Sequence, residues 1–229
     1  MKCVHCLNEA GDTRDHVFPK SWYPDNTPTT VQRPTVPSCV MCNGKLGKIE
    51  DELFQKLAVC IDPDKDSASG IKEKVLRGFG LGVDINEMTE RDRAARLSRL
   101  KKLIDQTKPV SEINMKAFPG LGPHLTYPIE IQRAFPAPKE ELQTIAEKII
   151  RGLEYSLNKR YIEAPLKLEA YIYITDDKLP APVQRVLSLG EQHIYGPGFE
   201  VVRAATPSNL VVIYKFVVWG TIKIYGSIA

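Results

Sequence analysis

Two cysteine pairs, Cys3-Val4-His5-Cys6 and Cys39-Val40-Met41-Cys42, have the spacing of ligands to one tetrahedral metal ion. Each C-x-x-C turn places two sulfurs around a common point. Two such turns close the four-sulfur shell that Zn2+ takes in structural sites. A closed shell leaves no position for water, so this zinc is expected to be structural. It should supply folding free energy to a segment too small to bury a large core. His5 sits inside the first turn and is not counted as a ligand, because four cysteines suffice. Between the pairs lies Asp15-His16-Val17-Phe18-Pro19-Lys20, and Asn43 follows the last cysteine directly. These groups suit phosphodiester hydrolysis. A neutral His16 can take a proton from water. Asp15 and Asn43 offer the hard oxygens that a divalent ion prefers, and such an ion stabilises a phosphate and its departing oxygen. Neighbouring residues of a strand point to opposite faces, so a distorted segment is expected at Asp15-His16 if both serve one phosphate.

The elements around these residues follow from pattern. Trp22-Tyr23-Pro24-Asp25-Asn26-Thr27-Pro28 is rich in turn residues. Residues 29–37 carry β-branched side chains together with Pro34 and Pro37, which predicts an irregular or edge strand. From Gly44 onward Leu46, Ile49, Leu53, Phe54 and Leu57 keep a helical period. The second cysteine turn therefore feeds a helix, with Asn43 at its start and set beside Asp15 by the zinc.

The rest of the chain gives an α+β fold class. Residues 1–58 read as the zinc-stapled module, 59–124 as a helical connector and 125–229 as a C-terminal α/β domain with a mostly antiparallel sheet. Residues 62–88 are polar and broken by Gly70, Gly78, Gly80 and Gly82. Thr89 and Asp92 resemble a capping box that opens a helix with an apolar stripe at Leu97, Leu100 and Ile104. Arg91, Arg99 and Lys102 fall on the opposite face, which reads as solvated, with phosphate contact as the functional alternative. Residues 107–138, with six prolines and two glycines, read as a long connection. A helix is predicted over 139–158, a strand over 166–175 and a short helix over 183–189. Strands over 199–205, 210–218 and 221–227 are joined by short turns as an antiparallel meander. His193 and Tyr195, ahead of Gly196-Pro197-Gly198, read as loop residues, with the lining of a pocket as the alternative. Tyr171, Tyr173, Tyr214, Phe216 and Trp219 read as sheet packing.

Composition bounds the function. The 229 residues are 43% hydrophobic and 26% charged, an ordinary globular balance. No apolar run is long enough for a transmembrane helix, so no membrane role is expected. With Cys3 so near the start, no signal peptide is expected ahead of it. Five cysteines, four of them in metal-type pairs, fit a reducing cytoplasm. Cys60 is left over and reads as a small buried residue. The formal charge of +3 does not by itself announce nucleic-acid binding. Residues 1–58 hold seven Lys/Arg and seven Asp/Glu, so phosphate-neutralising charge must be clustered locally or come from elsewhere.

The order Cys-x-x-Cys, Asp-His-Val-Phe-Pro-Lys, Cys-x-x-Cys-Asn resembles the zinc-containing branch of the HNH endonucleases, which share the ββα-metal fold with phage resolvases. The resemblance covers residues 3 to about 57. It implies that His16 is the general base and that Asp15 and Asn43 hold a catalytic Mg2+ or Mn2+. It implies further that Lys45 or Lys48 contacts phosphate and that the substrate is DNA, with RNA left open. A bacterial or phage defence role is implied in the same way. The C-terminal part would then select the substrate or mediate homodimerisation. One position departs from the family pattern. The middle Asn, which orients the base, is missing from Gln32-Arg33-Pro34-Thr35-Val36-Pro37-Ser38. Gln32, Thr35 or a backbone carbonyl would have to replace it, Asn26 being too far away. That departure and the modest charge keep open a second expectation, a non-catalytic zinc-knuckle module that binds nucleic acid or protein.

Overall fold

The computed structural model describes residues 1–59, 61, 64–81, 88–109, 133–134, 138–172 and 179–229. Near the N-terminus, β1 (Thr13–His16) and β2 (Thr35–Ser38) form an antiparallel hairpin, with Thr13 opposite Ser38 and His16 opposite Thr35. Pro37 lies within β2 opposite Arg14. A proline has no N–H for the ladder, which keeps this strand short and two-stranded. Helix α1 (Val40–Ala58) follows at once and starts earlier than the apolar period alone suggests. Cys39 is its N-cap, and Cys39 Sγ accepts a hydrogen bond from the Cys42 N–H at 3.4 Å. The second cysteine turn is thus also the start of the helix, where free N–H groups need partners. Leu46, Leu53, Phe54 and Leu57 are buried along its inner face.

The polar, glycine-broken stretch contains a helix that the pattern did not announce. Gly70 has φ 73°, and a Cβ there would collide with the Asp25 side chain. Only glycine permits that turn, and α2 (Ile71–Gly78) follows it with Ile71 and Val75 buried one helical turn apart. Helix α3 (Glu90–Asp105) begins as expected: the Thr89 hydroxyl accepts from the Asp92 N–H at 3.1 Å and donates to Asp92 Oδ2 at 2.7 Å. Its stripe only partly packs. Leu103 is buried and Leu100 touches the core, while Leu97 and Ile104 are about half exposed. Two short strands, β3 (Lys108–Pro109) and β4 (Arg133–Ala134), pair antiparallel. Cys60, Gly82 and most of the proline-rich connection lie outside the described residues.

Helix α4 (Lys139–Asn158) has the bounds that its period predicts, and it is apolar on two sides. One side meets β5 (Leu168–Ile172) and β9 (Ile222–Ile228), and the other meets α1 and β2. Beyond β5 the expected strand runs outside the described residues, Tyr173 included. Helix α5 (Ala181–Ser188) precedes β6 (Glu191–Ile194), β7 (Phe199–Ala205) and β8 (Val212–Val218). The five strands form one antiparallel sheet in the order β5-β9-β8-β7-β6. The expected meander is its centre; β6 adds His193 to the sheet, where a loop was expected. Every second residue of β8, Val212, Tyr214, Phe216 and Val218, is fully buried toward α4. Gly226 on β9 lets the helix approach, because a Cβ there would overlap Ile150 Cδ1. Helix α5 covers the other face through Leu187, beside Tyr225.

One apolar core joins these parts. Val17, Phe18 and Trp22 lie in it with Ile149, Phe199 and Trp219. Trp219 sits in the β8–β9 turn with φ 51°, its ring centroid 5.3 Å from that of Trp22. Its Nε1 donates to the Trp22 carbonyl at 2.7 Å. The hairpin and the sheet are therefore packed around α4 from both sides. No helix among the described residues is long and apolar enough to cross a membrane.

Candidate metal centre and the Asp-His pair

The four cysteines converge. Their Sγ atoms all lie within 4.8 Å of one another, and Cys6 Sγ is 4.0 Å from Cys39 Sγ. That distance is far too long for a disulfide. A tetrahedron with Zn–S bonds of about 2.3 Å has edges of about 3.8 Å, so the donor set fits one zinc ion. The first turn is shaped by Cys3 N–H donating to Glu9 O at 2.8 Å and Leu7 N–H donating to Cys3 O at 3.0 Å. Cys3 and Cys39 are buried, and Cys6 and Cys42 are half-buried. Burial pushes the Cys3 thiol up, but backbone N–H groups of the two turns outweigh it and bring its pKa down to about 6. Burial and the neighbouring sulfurs push the Cys42 thiol up. Four sulfurs this close cannot all be thiolates without a cation among them, and a bound zinc would supply that charge.

Asn43 reaches across to the hairpin. Its Nδ2 donates to Thr13 Oγ1 at 3.0 Å and lies 3.5 Å from the Arg14 carbonyl. The amide is thereby held beside the strand that carries Asp15 and His16. Those two residues alternate as strand residues do: Asp15 is buried and His16 half-buried. Lys45 and Lys48 are exposed on α1.

The partners of Asp15 differ from those the motif suggests. His5 Nε2 lies 2.9 Å from Asp15 Oδ2, and Lys148 Nζ lies 3.2 Å from Asp15 Oδ1. Lys148 also contacts Glu50 Oε1 at 2.5 Å and donates to the His16 carbonyl at 2.5 Å. Burial raises the Asp15 pKa, but the His5 hydrogen bond and the Lys148 charge outweigh it and hold it below the usual carboxylate range. Glu50 goes the other way, because burial outweighs the pull of Lys148. With a cation on one carboxylate oxygen and an imidazole on the other, Asp15 as arranged does not fit a divalent ion.

His16 is held toward its neutral form. Burial is the largest cause, followed by the Lys148 ammonium, with Asp15 partly offsetting both. Its Nδ1 is buried and has no hydrogen-bond partner among the described residues. The candidates to replace the missing Asn are occupied or distant. Thr35 stands opposite His16, but its hydroxyl accepts from Arg14 Nε at 3.1 Å and Arg14 Nη2 at 2.9 Å. Gln32 is exposed, and Asn26 donates to the Asp66 carbonyl at 3.0 Å. Near this centre an open recess of about 640 Å³ is bordered by Lys20, Arg33 and Lys74 together with Glu50 and Asp51.

Three participants, His5, Glu50 and Lys148, were not picked out by the motif. Lys148 had a signal: it sits among Ile145, Ile149 and Ile150 on a helix whose neighbouring positions are core. A lysine buried there needs acceptors. A second buried network lies six residues further along the same helix. Glu154, fully buried, is held by Arg203 Nε at 3.0 Å, by Arg160 Nη2 at 2.6 Å and by the Tyr214 hydroxyl. It ties α4 to the sheet as Lys148 ties it to the hairpin. No family model matches the chain, and no curated protein or solved structure matches it either.

Proposed function

We propose that the hairpin, α1 and the four-cysteine centre form a nuclease module of the HNH type that hydrolyses phosphodiester bonds in DNA, with His16 as the general base. One observation carries this reading: the cysteine turns bring Asn43 against the strand of Asp15 and His16, through the 3.0 Å bond to Thr13. The order of residues and the order of elements, two strands and then a helix, agree with it. A neutral His16 is in the protonation state a base needs. Arg14 lies two residues away on the same strand face, and the charges of Lys20 and Arg33 act on His16. These three, with Lys45 and Lys48, supply positive charge for a phosphate backbone. Asp15 serves here by holding the strand through His5 and Lys148.

A second reading is favoured by one feature, the buried Nδ1 of His16, which nothing among the described residues orients. On that reading the module is a non-catalytic zinc knuckle that binds nucleic acid or protein. Supercoiled plasmid, linear duplex and RNA incubated with wild type and His16→Ala, in Mg2+, in Mn2+ and in neither, separate the two. Nicking by the wild type that His16→Ala loses supports the nuclease. No cleavage of any substrate by folded, zinc-loaded protein refutes it, and equal nicking by the variant refutes the role of His16.

A further inference from the structure

We infer that Lys148 is the resident cation of the Asp15 site: its ammonium takes the place a divalent ion would need, so the folded protein holds metal at its cysteines and none at Asp15. The donor set is the first reason. Asp15 Oδ1, Glu50 Oε1 and the His16 carbonyl oxygen are three hard oxygens converging on one point, at 3.2, 2.5 and 2.5 Å from Lys148 Nζ. Two carboxylates and a backbone carbonyl are what Mg2+ or Mn2+ would choose. An ammonium has three N–H donors, and here each has an acceptor. No donor of Lys148 is left over, and no oxygen of the three faces an empty centre.

The second reason is closure. The Lys148 side chain is 1% exposed, that of Asp15 7% and that of Glu50 14%. Mg2+ gives up its water reluctantly and usually keeps several molecules, and with the Lys148 ammonium in place the centre has no room for them. The other oxygen of Asp15 is spoken for by His5 Nε2, and His5 is fixed within the first cysteine turn. The third reason is charge. Two carboxylates around one ammonium leave one net negative charge, partly relieved because burial raises the Glu50 pKa. A divalent ion added there would face Lys148 at contact distance.

The inference gives the C-terminal third a place in the centre. Lys148 comes from α4, 132 residues from His16, and at 1% exposure it cannot touch a nucleic acid. It is a positioning residue. It fastens the end of β1 to α1 and α4 and keeps positive charge beneath His16. None of this depends on whether the module cuts DNA.

The test uses the zinc-loaded full chain and Mn2+ alone as the probe, followed by electron paramagnetic resonance and by calorimetry. Wild type should show no Mn2+ binding that Asp15→Asn weakens. Binding tighter than about 1 mM, the weak end for oxygen-ligand sites, that is lost in Asp15→Asn overturns the inference. Lys148→Met keeps the aliphatic stem and removes the charge. It should gain one Mn2+ site, seen as binding and as a rise in melting temperature with Mn2+, and Lys148→Met/Asp15→Asn should lose it. A folded Lys148→Met that gains no site overturns the inference as well. If that variant fails to fold, the wild-type and Asp15→Asn titrations decide alone. Neither arm measures cleavage, so failure here is distinct from failure of the nuclease reading.

Discussion

Removing the charge of Lys148 should be among the more damaging single changes in this protein. In Lys148→Met the stem still fills its space beside Ile145 and Ile149, so the packing loss is small. What is lost is the cation between Asp15 at 3.2 Å and Glu50 at 2.5 Å. Two carboxylates that are 7% and 14% exposed are then left with His5 alone. Breaking a buried ion pair by deleting one partner costs about 3–5 kcal/mol, because a charge is left uncompensated. Zinc-loaded protein with a stability in the usual range of about 5–15 kcal/mol should stay folded but become marginal. The assay is urea unfolding followed by the fluorescence of Trp22 and Trp219. With a slope of about 2–3 kcal/mol per molar urea, the midpoint should fall by about 1–2.5 M. Adding Asp15→Asn removes one stranded charge and should restore about 1–3 kcal/mol, a coupling typical of groups in direct contact. The pH dependence has a definite sign. Without Lys148 the Glu50 carboxyl, already above its ordinary value through burial, is pushed further up, and Asp15 loses part of what holds it low, so the deficit is full at neutral pH and shrinks as pH falls and the carboxylates take up protons. A loss under about 1 kcal/mol, or a double variant no more stable than the single one, would refute the idea of a buried charge cluster centred on Lys148.

Further outcomes can be checked separately. Native protein should carry about one zinc per chain by metal analysis, and Cys3→Ser should carry substantially less. Stripping the metal with a chelator should shift tryptophan emission to the red, since Trp22 is buried and the cysteine turns that a zinc would join flank the hairpin; unchanged emission on full zinc removal argues against this. His16 has a pKa below its ordinary value of about 6.5, so the unfolded chain takes up the proton first and stability falls as pH drops from about 6.5 through the folded value. Urea midpoints of wild type and His16→Gln across that window should diverge in slope, and parallel curves would contradict the burial of the ring. Gly226→Val forces a side chain into Ile150 and against the Glu169 carbonyl, and should destabilise by about 1–3 kcal/mol in thermal melts. Gly47→Ala in α1 meets nothing within 4 Å among the described residues and should stabilise by up to about 1 kcal/mol; if Gly226→Val is as mild as Gly47→Ala, the close approach of helix and sheet is wrong.

Much of the framework was legible because it is local. Thr89 and Asp92 sit three apart, and a capping box needs nothing else. Helix α4 keeps its period for its full length, and the meander strands alternate against a single helix. Helix α2 was missed because Gly70 and Gly78 look like breakers. Gly70 is in fact the turn into the helix, and Gly78 is its last residue. The half-exposed stripe of α3 shows the opposite error, since an amphipathic pattern does not say that a partner covers all of it. The sequence places β6 in a loop because His193 and Tyr195 run into Gly196-Pro197-Gly198, a turn signal. Only the β7 ladder, with His193 opposite Val201, makes it a strand.

The sequence by itself picked out the four cysteines that converge, the order of Asp15, His16 and Asn43 between and after them, and the helix that follows the second pair. Spacing along the chain is enough for a C-x-x-C turn or a helical face, because the backbone geometry between such neighbours is nearly constant. Only the tertiary structure decided what Asp15 faces. Its partners come from His5, in the first cysteine turn, and from Lys148, brought in by a helix that crosses between hairpin and sheet. Which buried charges meet depends on how helices and strands pack. No spacing rule reaches across the 132 residues that separate Lys148 from His16.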